Sequence, residues 1–563
     1  MASIFVLSAG SLSIGFLSDD YWLLASAKEQ GVNFFGGWAT HSSFYRPLVT
    51  VSFLLNLAVS NQPSIFHFFN ILLHSINCLV LFFALRLYYG LFSHRSFSLT
   101  EATIFAFACV LLFAFHPANA HDVAWISGRT DLIAGLFSML TIIFHLLLES
   151  NNRKMLWRIA RGVFFLSAMA SKEISLIVPL ISFILTFQIL VHRRHPGSLA
   201  RRWREIIAKS FLNILDLIVL SLAYVAFRIF VAPYGQGQVD WSLLSFSEIV
   251  VFVVKCFYLY ISPLDPLSSV YQYGKSPVLW ILTAGVLASA IIYSITPAIQ
   301  HGKKVFWIYS CVFMIGMLGA VSLNAYHGVI SQRLMYVPLA ATFLVAVPLV
   351  RLVMKSVSFS KARKGVVVGL YVIALISYVL MFHAKIQGWE KSSQFEKKLA
   401  MEIVAQSESP LKPIFILSYP YRFNQIVVMS TFPQLLYYYF YGQFGTLDNV
   451  KVGLQVIGTT FESVFAGATF SDVSNVHQRV LVETADPEQF LYVDLDEMKF
   501  LERFPILEVL ALQKIRNTAV SVTVLSTNRF SRATKMEIEI LDKPFYNEAQ
   551  VFIFQQGKMV KIR

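Results

Sequence analysis

The sequence predicts a polytopic α-helical membrane protein with about 11 transmembrane helices, followed by a C-terminal α/β domain. Three observations lead to this prediction. Hydrophobic residues make up 56% of the 563-residue chain and charged residues only 14%, whereas soluble domains carry about 25% charge. Apolar runs near membrane-spanning length recur up to about residue 383. From Glu390 onward, the charge density becomes ordinary and strand-like runs appear.

The predicted membrane part contains eleven apolar runs. The first run lacks a basic n-region and a cleavage site, so we expect a retained span, although about 16 residues is short for the hydrocarbon layer. A weaker run at 248–262, broken by Lys255 and closed by Pro263, is expected to be an interfacial helix. The eleven runs are 2–17, 64–89, 101–116, 131–149, 157–170, 174–192, 211–232, 278–296, 305–324, 334–353 and 365–383.

The basic residues predict the orientation of these runs. They cluster after the fourth, sixth, eighth and tenth runs, as in RKMLWRIAR (153–161) and HRRHPGSLARRWRE (192–205). Basic loops stay in the cytoplasm, so the odd-numbered exits and the C-terminal segment are expected on the other side. We interpret the formal net charge of +14 as this bias and expect no nucleic-acid partner.

The predicted domains are residues 1–388 in the membrane and residues 389–563 outside it. The second domain has strand-like runs PIFILSY, TAVSVTVLST, MEIEI and VFIF. Its aromatic run QLLYYYFYG (434–442) favours a buried helix or strand, with sugar stacking as the alternative. The four cysteines lie in apolar runs without metal-ligand spacing, so neither a disulfide framework nor a zinc site is expected.

Ionisable residues concentrate at the predicted non-cytoplasmic ends of the runs. Asp19, Asp20 and Arg46 fall in the first exit loop. The second run begins FHFFNILLHS, where the spacing i, i+3 and i+7 places three polar residues on one helix face. Those three are His67, Asn70 and His74, and the later exits add His116, Asp122, Arg129, Asp131, Lys172, Glu173, Arg333 and Tyr336.

Charged groups in or beside a span are expensive and usually face a cavity. Acids and bases on one membrane face suit an anionic lipid-linked ligand and a proton transfer. Arginine binds phosphate in a bidentate manner, and an aspartate can accept the proton of an incoming hydroxyl. We therefore expect Asp19 or Asp20 to be a general base. The candidate phosphate ligands are Arg46, Arg129, Lys172 and Arg333.

Each group also has a structural interpretation. Two acids after an apolar run are typical of a solvated helix end. The polar face of the second run is more typical of interhelical hydrogen bonds than of a metal site. The remaining alternatives are ion pairs, Lys172 with Glu173 and Arg129 with Asp131.

The order of these motifs resembles the transmembrane O-mannosyltransferases with tetratricopeptide repeats, which belong to the GT-C class of polyprenyl-phosphate-sugar-dependent glycosyltransferases. The resemblance covers roughly residues 18–350. Asp122 stands where this family usually has Glu, Gln332 stands where Glu is typical, and the repeat array is absent. The motifs that carry the resemblance are SDDYWLL, FYRPLVTVSFLLN, FHFFNILLHSINCLVLFFALR, LLFAFHPANAHDVAWISGRTDLIAGLF, SKE and QRLMYVP.

The resemblance implies an exoplasmic enzyme that moves a sugar, typically mannose, from a polyprenyl-phosphate donor to a hydroxyl of a glycan, lipid or protein. The family is expected to use an acid in its first exoplasmic loop as the base, and Asp19–Asp20 matches that position. Arg333 with Lys172 or Arg129 would stabilise the leaving phosphate. By the same resemblance, His116, Asp131, Glu173 and Tyr336 line the donor and acceptor site; we place Asp122 and the His67 face there as well.

We expect inverting transfer without a metal or other cofactor, a divalent ion on the acid pair being the alternative. The missing repeats favour a bacterial or archaeal plasma membrane over the endoplasmic reticulum. The alternative function is a secondary transporter or flippase of lipid-linked sugars.

Overall fold

The computed structural model divides the chain into two compact units. The membrane unit comprises Met1–Ser11, Val32–Ser52 and Phe66–Ile386, and the C-terminal unit comprises Leu12–Gly31, Phe53–Ile65 and Gln387–Arg563. The structure describes residues 2–31, 45–92, 99–150, 154–193, 199–230, 307–311, 332–357, 361–420, 422–423, 426–428, 431–456, 469–474, 479–483, 514–516, 520–527, 533–541, 543–555 and 558–561.

Helices make up the described part of the chain up to Gln406. Four short 3₁₀ segments, Ala9–Ser13, Ile126–Gly128, Glu173–Ile177 and Gln332–Met335, lie beside them. The helices are α1 Ala2–Ser8, α2 Asp19–Gln30, α3 Pro47–Val59, α4 Pro63–Leu91, α5 Leu99–Ala114, α6 Asn119–Ala124, α7 Arg129–Ser150, α8 Lys154–Met169, α9 Val178–Arg193, α10 Leu199–Leu212, α11 Leu215–Phe230, α12 Tyr336–Val357 and α13 Lys361–Gln406.

Several of these helices can cross a bilayer, which confirms the predicted class of polytopic helical membrane protein. Within the described ranges, five stretches are long and apolar enough to span, and a sixth results if α10 and α11, bent by 52°, form one broken span. The five are Pro63–Leu91, Ile126–Glu149, Glu173–Arg193, Tyr336–Met354 and Lys361–Gln406.

The predicted number of eleven spans stays a prediction. The first run forms α1 and the adjoining 3₁₀ segment, an apolar helix only from Ile4 to Ser13. The runs at 101–116 and 157–170 form α5 and α8, of 16 residues each. The runs at 248–262 and 278–296 lie outside the described residues, as does the run at 305–324 apart from 307–311.

The segment predicted as the first exit loop contains the helices α2 and α3. Asp19 and Asp20 form the first turn of α2, where carboxylates interact favourably with the helix dipole. Pro47 is the first residue of α3, a position where its missing N–H has no intrahelical partner to lose. At 13 residues, α3 is too short to be recognised as a span.

A polar network joins four helices of the membrane unit. The fully buried Arg161 of α8 donates to both carboxylate oxygens of Asp216 on α11, at 2.5 and 2.6 Å, and to Nδ1 of His145 on α7, at 2.7 Å. His145 Nε2 lies 2.9 Å from the Thr186 hydroxyl on α9. Because the arginine is paired and hydrogen-bonded, its burial is tolerated. This network links α7, α8, α9 and α11.

The described residues of the C-terminal part form two sheets and a short hairpin. The first sheet has the order β11-β10-β1-β4, with β10, β1 and β4 parallel. The second is antiparallel, with the order β5-β6-β9-β8-β7. The strands are β1 Ile414–Pro420, β2 Arg422–Phe423, β3 Ile426–Val427, β4 Val450–Val456, β5 Thr469–Ser474, β6 Arg479–Glu483, β7 Lys514–Arg516, β8 Val520–Thr527, β9 Ala533–Ile540, β10 Gln550–Gln555 and β11 Lys558–Lys561; the helices are α14 Phe432–Tyr441 and α15 Lys543–Glu548.

The strand-like runs read from the sequence correspond to β1, β8, β9 and β10. In β1, three consecutive residues, Ile414, Phe415 and Ile416, are fully buried, as expected for a central parallel strand covered on both faces. The proposed boundary at 388/389 falls inside α13, which is 46 residues long. At about 1.5 Å per residue, α13 is more than twice the thickness of a hydrocarbon core of about 30 Å.

Candidate active site

The segment HPANAHDVAWISGRTD folds as a compact elbow before α7. It contains α6, the 3₁₀ segment Ile126–Gly128 and the first turn of α7. A Cβ on Gly128 would lie 2.7 Å from the backbone Cα and carbonyl oxygen of Asp122, so glycine permits this close approach. Asp122 is fully buried. The backbone at Asp122 therefore packs directly against the backbone that precedes Arg129.

Arg129 and Asn70 connect this elbow to α3 and α4. The guanidinium of Arg129 donates to Asn70 Oδ1 at 2.8 Å, to the Phe66 carbonyl at 2.7 Å and to the Ser52 carbonyl at 3.3 Å. Asn70 Nδ2 donates in turn to the Trp125 carbonyl at 2.9 Å. This arrangement favours a structural role for Arg129 over the phosphate contact that the sequence predicts, because three protein oxygens already accept from its guanidinium.

His74 and Tyr336 form a buried hydrogen-bonded set with Asn77. His74 Nε2 lies 3.0 Å from the Ala114 carbonyl, so Nε2 carries the proton and Nδ1 accepts from the Tyr336 hydroxyl at 2.8 Å. Asn77 Nδ2 donates to the same hydroxyl at 3.0 Å and to the Leu132 carbonyl at 2.9 Å. These contacts are interhelical: His74 and Tyr336 connect α4, α5 and α12, and Asn77 adds a bond to α7.

The two other predicted histidines are also buried. His116 Nδ1 accepts the Ala118 N–H at 3.2 Å, and its ring packs against Tyr378 with centroids 4.8 Å apart. His67 is fully buried on α4. The His116 contacts define the turn into α6, which indicates a local structural role.

Gly135 of α7 lies against the Tyr336 ring, and we expect Gly135→Ala to destabilise the membrane unit. A Cβ there would lie 2.7 Å from Tyr336 Cε1 and 2.9 Å from Cδ1. The ring cannot turn away without losing its bonds to His74 and Asn77, so the expected loss is about 1–3 kcal/mol of unfolding free energy. Thermal unfolding in detergent measures it. Gly369→Ala in α13, with nothing within 4 Å, is the control and should be neutral or stabilising; equal effects would contradict the packing argument.

A charged cluster lies at the start of the Glu173–Arg193 span. Glu173 is paired with two arginines, Arg46 at 3.3 Å and Arg228 of α11 at 2.6 Å. Its neighbour Lys172 forms an ion pair with Asp131 of α7. The Glu173 and Arg228 side chains are 8% and 0% exposed. The structure thus brings together four predicted site residues, Arg46, Asp131, Lys172 and Glu173, and gives the adjacent residues Lys172 and Glu173 different partners.

Arg228 is a member of this cluster that the sequence interpretation missed. It lies in the apolar run 211–232, and an arginine within such a run is a functional candidate on its own. Its guanidinium also lies 3.5 Å from the Tyr224 hydroxyl, one helical turn earlier, and Phe227 packs against Tyr45 with ring centroids 5.0 Å apart. Arg333 belongs by backbone to the 3₁₀ segment Gln332–Met335, and its side chain lies outside the described set.

In the C-terminal unit, Asp19 and Asp20 belong to a tight turn. The Asp20 N–H donates to the Leu17 carbonyl at 3.1 Å, and Ser18 has φ 56° and ψ −119°, the values of the first central residue of a type II′ turn. Glycine normally occupies this position, and a serine there stores about 1–3 kcal/mol of strain. Ser18 has the one positive φ among the described non-glycine residues.

The two acids of this turn occupy different environments. Asp20 is 1% exposed, and its Oδ2 accepts the Leu17 N–H at 3.0 Å. Asp19 is half-buried at the tip of the turn, with Oδ1 3.5 Å from the Ser18 hydroxyl. Asp20 therefore closes the turn, which makes Asp19 the better placed of the two candidates for contact with a substrate.

Among the described residues, no three or more His, Cys, Asp or Glu side chains are grouped so as to hold a metal ion. The expectation of transfer without a metal stays a prediction.

The fold and this cluster define a polytopic helical membrane protein with paired, buried charges at one end of its spans. No family model matches the chain. Comparison with curated proteins confirms the resemblance to O-mannosyltransferases over part of the sequence. The chain is similar to protein O-mannosyl-transferase TMTC2 of Mus musculus, at 36% identity over 118 residues, which are 20% of this chain and 13% of the relative.

Two further similarities have the same character. Protein O-mannosyl-transferase TMTC1 of Homo sapiens is 32% identical over 130 residues, 23% of this chain and 12% of the relative. Protein O-mannosyl-transferase F38B6.6 of Caenorhabditis elegans is 28% identical over 177 residues, 31% of this chain and 23% of the relative. Each match therefore spans less than a quarter of the relative.

One solved structure is also similar, the Archaeoglobus fulgidus oligosaccharyltransferase in the apo form. The superposition has a TM-score of 0.37 at 12% identity and covers 74% of this chain and 62% of that chain.

Proposed function

We propose that this chain is an integral membrane glycosyltransferase. It moves a sugar from a polyprenyl-phosphate donor to a hydroxyl of a glycan, lipid or protein acceptor. A mannose-like hexose is the first candidate for that sugar. The observation that carries the proposal is the cluster in which Glu173 is paired with Arg46 and Arg228 beside the Lys172–Asp131 pair. The named similarity to O-mannosyl-transferases supports the same class of activity.

The charges of this cluster suit a phosphate that gains charge during the reaction. Three cations, Arg46, Arg228 and Lys172, stand against two carboxylates, Glu173 and Asp131, which leaves a net charge of +1. A polyprenyl-phosphate sugar carries one negative charge on its phosphodiester, and the departing polyprenyl phosphate approaches two. Fixed cations stabilise that developing charge without reorganisation, which is usually the largest catalytic contribution.

The proposed reaction is a single inverting displacement. Asp19 accepts the proton of the acceptor hydroxyl, and the hydroxyl oxygen attacks the anomeric carbon. The bond between that carbon and the phosphate oxygen breaks, and its electron pair leaves with the polyprenyl phosphate. Arg46, Arg228 and Lys172 hold the phosphate, and Arg333 is a further candidate. The shared order of motifs supports the separate roles of Asp19, Lys172 and Arg333.

The proposed reaction takes place on the non-cytoplasmic face, with the C-terminal unit on the same side, in a bacterial or archaeal plasma membrane. Two strongly basic loops support this orientation. Arg153 and Lys154 follow α7, Arg193 ends α9, and Arg194 comes directly after it. By the positive-inside rule these loops are cytoplasmic, which places the opposite helix ends, where Asp131 and Lys172 lie, outside.

Transfer from a set of labelled donors tests the proposal. Purified protein is incubated with native membrane extract and polyprenyl-phosphate-linked mannose, glucose or arabinose, each with a ¹⁴C label. We expect label to enter an acceptor fraction from at least one donor, with equal molar release of polyprenyl phosphate and no loss of rate in excess EDTA. Absence of transfer from every donor would contradict the proposed class, and loss of the rate in EDTA would establish the metal-dependent alternative.

A transporter or flippase of lipid-linked sugars is the second candidate. The observation in its favour is the 52° break between α10 and α11, because broken helices form substrate sites in transporters. The break lies at Asn213, which donates to Thr186 at 3.3 Å and also to Glu149, so polar groups at the interruption are paired. Bond cleavage in the donor distinguishes the two candidates.

A further inference from the structure

The turn that presents Asp19 is held by two other elements of the C-terminal unit. The Ser18 N–H donates to Oε1 and Oε2 of Glu396 on α13, at 3.1 and 3.3 Å. The Ser18 carbonyl accepts the Thr431 hydroxyl at 2.8 Å. Both polar groups of the Ser18 backbone are therefore bound by side chains more than 370 positions away in sequence.

Aromatic packing fixes the same turn on its apolar side. Phe16 lies against Tyr438 and Phe444, with ring centroids 5.5 and 5.1 Å apart. The Tyr21 hydroxyl donates to the Phe16 carbonyl at 3.1 Å and lies 3.2 Å from that of Tyr439. Burial raises the pKa of Tyr21 well above its ordinary value, so the phenol stays protonated as a donor. The chain before and after Ser18 is thus anchored on α14.

Glu396 is the unusual member of this arrangement. Its carboxylate is fully buried, and a buried carboxylate needs specific partners to offset its desolvation. The partner shown is the amide of Ser18, the described non-glycine residue with a positive φ. A non-glycine residue with this positive φ relaxes to another conformation unless other groups hold it, and Glu396 holds the Ser18 amide. The same bond gives the buried Glu396 carboxylate a hydrogen-bond donor.

We propose that Glu396 is a positioning residue for Asp19. Glu396 fixes the Ser18 amide and thereby the orientation of the neighbouring Asp19 side chain. Thr431 performs the same task on the Ser18 carbonyl. The inference rests on the proposed function, since it requires Asp19 to accept the acceptor proton. It adds residues far beyond the segment of resemblance, which ends near residue 350, and it assigns a catalytic purpose to the contact between the turn and α13.

A double-mutant cycle tests the proposal. We expect Glu396→Ala to lower kcat about 10- to 100-fold with the donor KM unchanged, because small displacements of a reacting group have effects of this size. In an Asp19→Asn background the same change should lower the residual rate less than about two-fold, since there is no base left to position. Equal losses in both backgrounds would show a merely structural role and overturn the inference.

Two further variants make the result independent of folding defects. Ser18→Gly accepts φ 56° without strain, so adding it to Glu396→Ala should raise kcat about three- to ten-fold; no recovery would contradict the positioning role. If Glu396→Ala does not fold, Thr431→Val replaces it in the same cycle, with a loss expected only when Asp19 is present. Hydrogen exchange at the Ser18 amide, faster without Glu396, reports the broken contact without an activity assay.

Glu402 is the matched control. It lies on the same helix, and its carboxylate accepts a backbone N–H, that of Met559 in β11, at 2.8 Å. Glu402→Ala should leave kcat within about two-fold. Failure of wild-type transfer removes the proposed function and this inference with it. A full rate in Asp19→Asn removes the inference, because Asp19 is then not the base. Loss of the Glu396 effect alone removes the inference and leaves the proposed function standing.

Discussion

Asp19→Asn is expected to lower kcat about 10²- to 10⁴-fold, the usual contribution of a general base, with the donor KM nearly unchanged. The asparagine side chain has almost the same shape and cannot accept the proton. Asp19 does not accept the backbone bond that closes the turn, because that bond goes to Asp20, so the variant should fold as the wild type does. Initial rates at saturating donor and acceptor measure the change.

Asp20→Asn is the matched control for this experiment. Its amide oxygen can still accept the Leu17 N–H that Oδ2 accepts in the wild type, so the turn is preserved and kcat should stay within a few-fold. The reverse pattern, an inactive Asp20→Asn beside an active Asp19→Asn, would transfer the proposed role to Asp20. Full activity of both variants would remove the base from the mechanism.

Glu173→Gln is expected to have the largest effect on stability. The change leaves the buried Arg228 and its neighbour Arg46 without the carboxylate that pairs with both. Removing one partner of a buried ion pair costs about 3–5 kcal/mol, because an uncompensated charge remains. If the cluster binds phosphate, polyprenyl phosphate will supply the missing negative charge and stabilise the variant. Thermal unfolding with and without polyprenyl phosphate should show a larger ligand-induced shift in Glu173→Gln than in the wild type.

Asp216→Asn controls for the general cost of an unpaired arginine. It removes the partner of the fully buried Arg161 in the network that joins α7, α8 and α11. We expect this variant to lose stability as well, but to show the same shift with polyprenyl phosphate as the wild type, because the proposed phosphate site does not include Arg161. Equal ligand shifts in Glu173→Gln and the wild type would contradict phosphate binding at the cluster.

The apolar runs predicted several membrane helices because span length and hydropathy are local properties. The runs at 64–89, 131–149 and 174–192 correspond to described spans. The sequence did not predict α3, since 13 residues are fewer than a bilayer requires. It also missed α2, because DDYWLLASAKEQ begins with two charged residues and lacks a regular apolar face.

Four of the five members of the charged cluster, all but Arg228, could be named in advance, but their pairing could not. Lys172 and Glu173 are neighbours in sequence and suggested an ion pair with one another, whereas each pairs with a different helix. The structure also favours a structural role for Arg129, because Asn70 and two backbone carbonyls accept from its guanidinium. Such partners depend on how helices pack, which no single segment specifies.

The turn at Ser18 shows the same limitation over a longer distance. The sequence showed two acids and gave only a slight preference for Asp19. The difference between them comes from the Leu17 amide, which takes Asp20, and from Glu396, which holds Ser18. Glu396 lies in a polar stretch, EKSSQFEKKLA, that is typical of an exposed helix. Its complete burial follows from tertiary structure alone.

The fate of the bond between sugar and phosphate tests the central claim most directly. Wild-type protein is reconstituted in liposomes with a polyprenyl-phosphate hexose that it accepts, and the lipid is recovered and weighed by mass spectrometry after one turnover. The account predicts polyprenyl phosphate without its hexose, in an amount equal to the hexose found on the acceptor. Donor recovered intact in the opposite leaflet, with no free polyprenyl phosphate, would contradict it and establish transport.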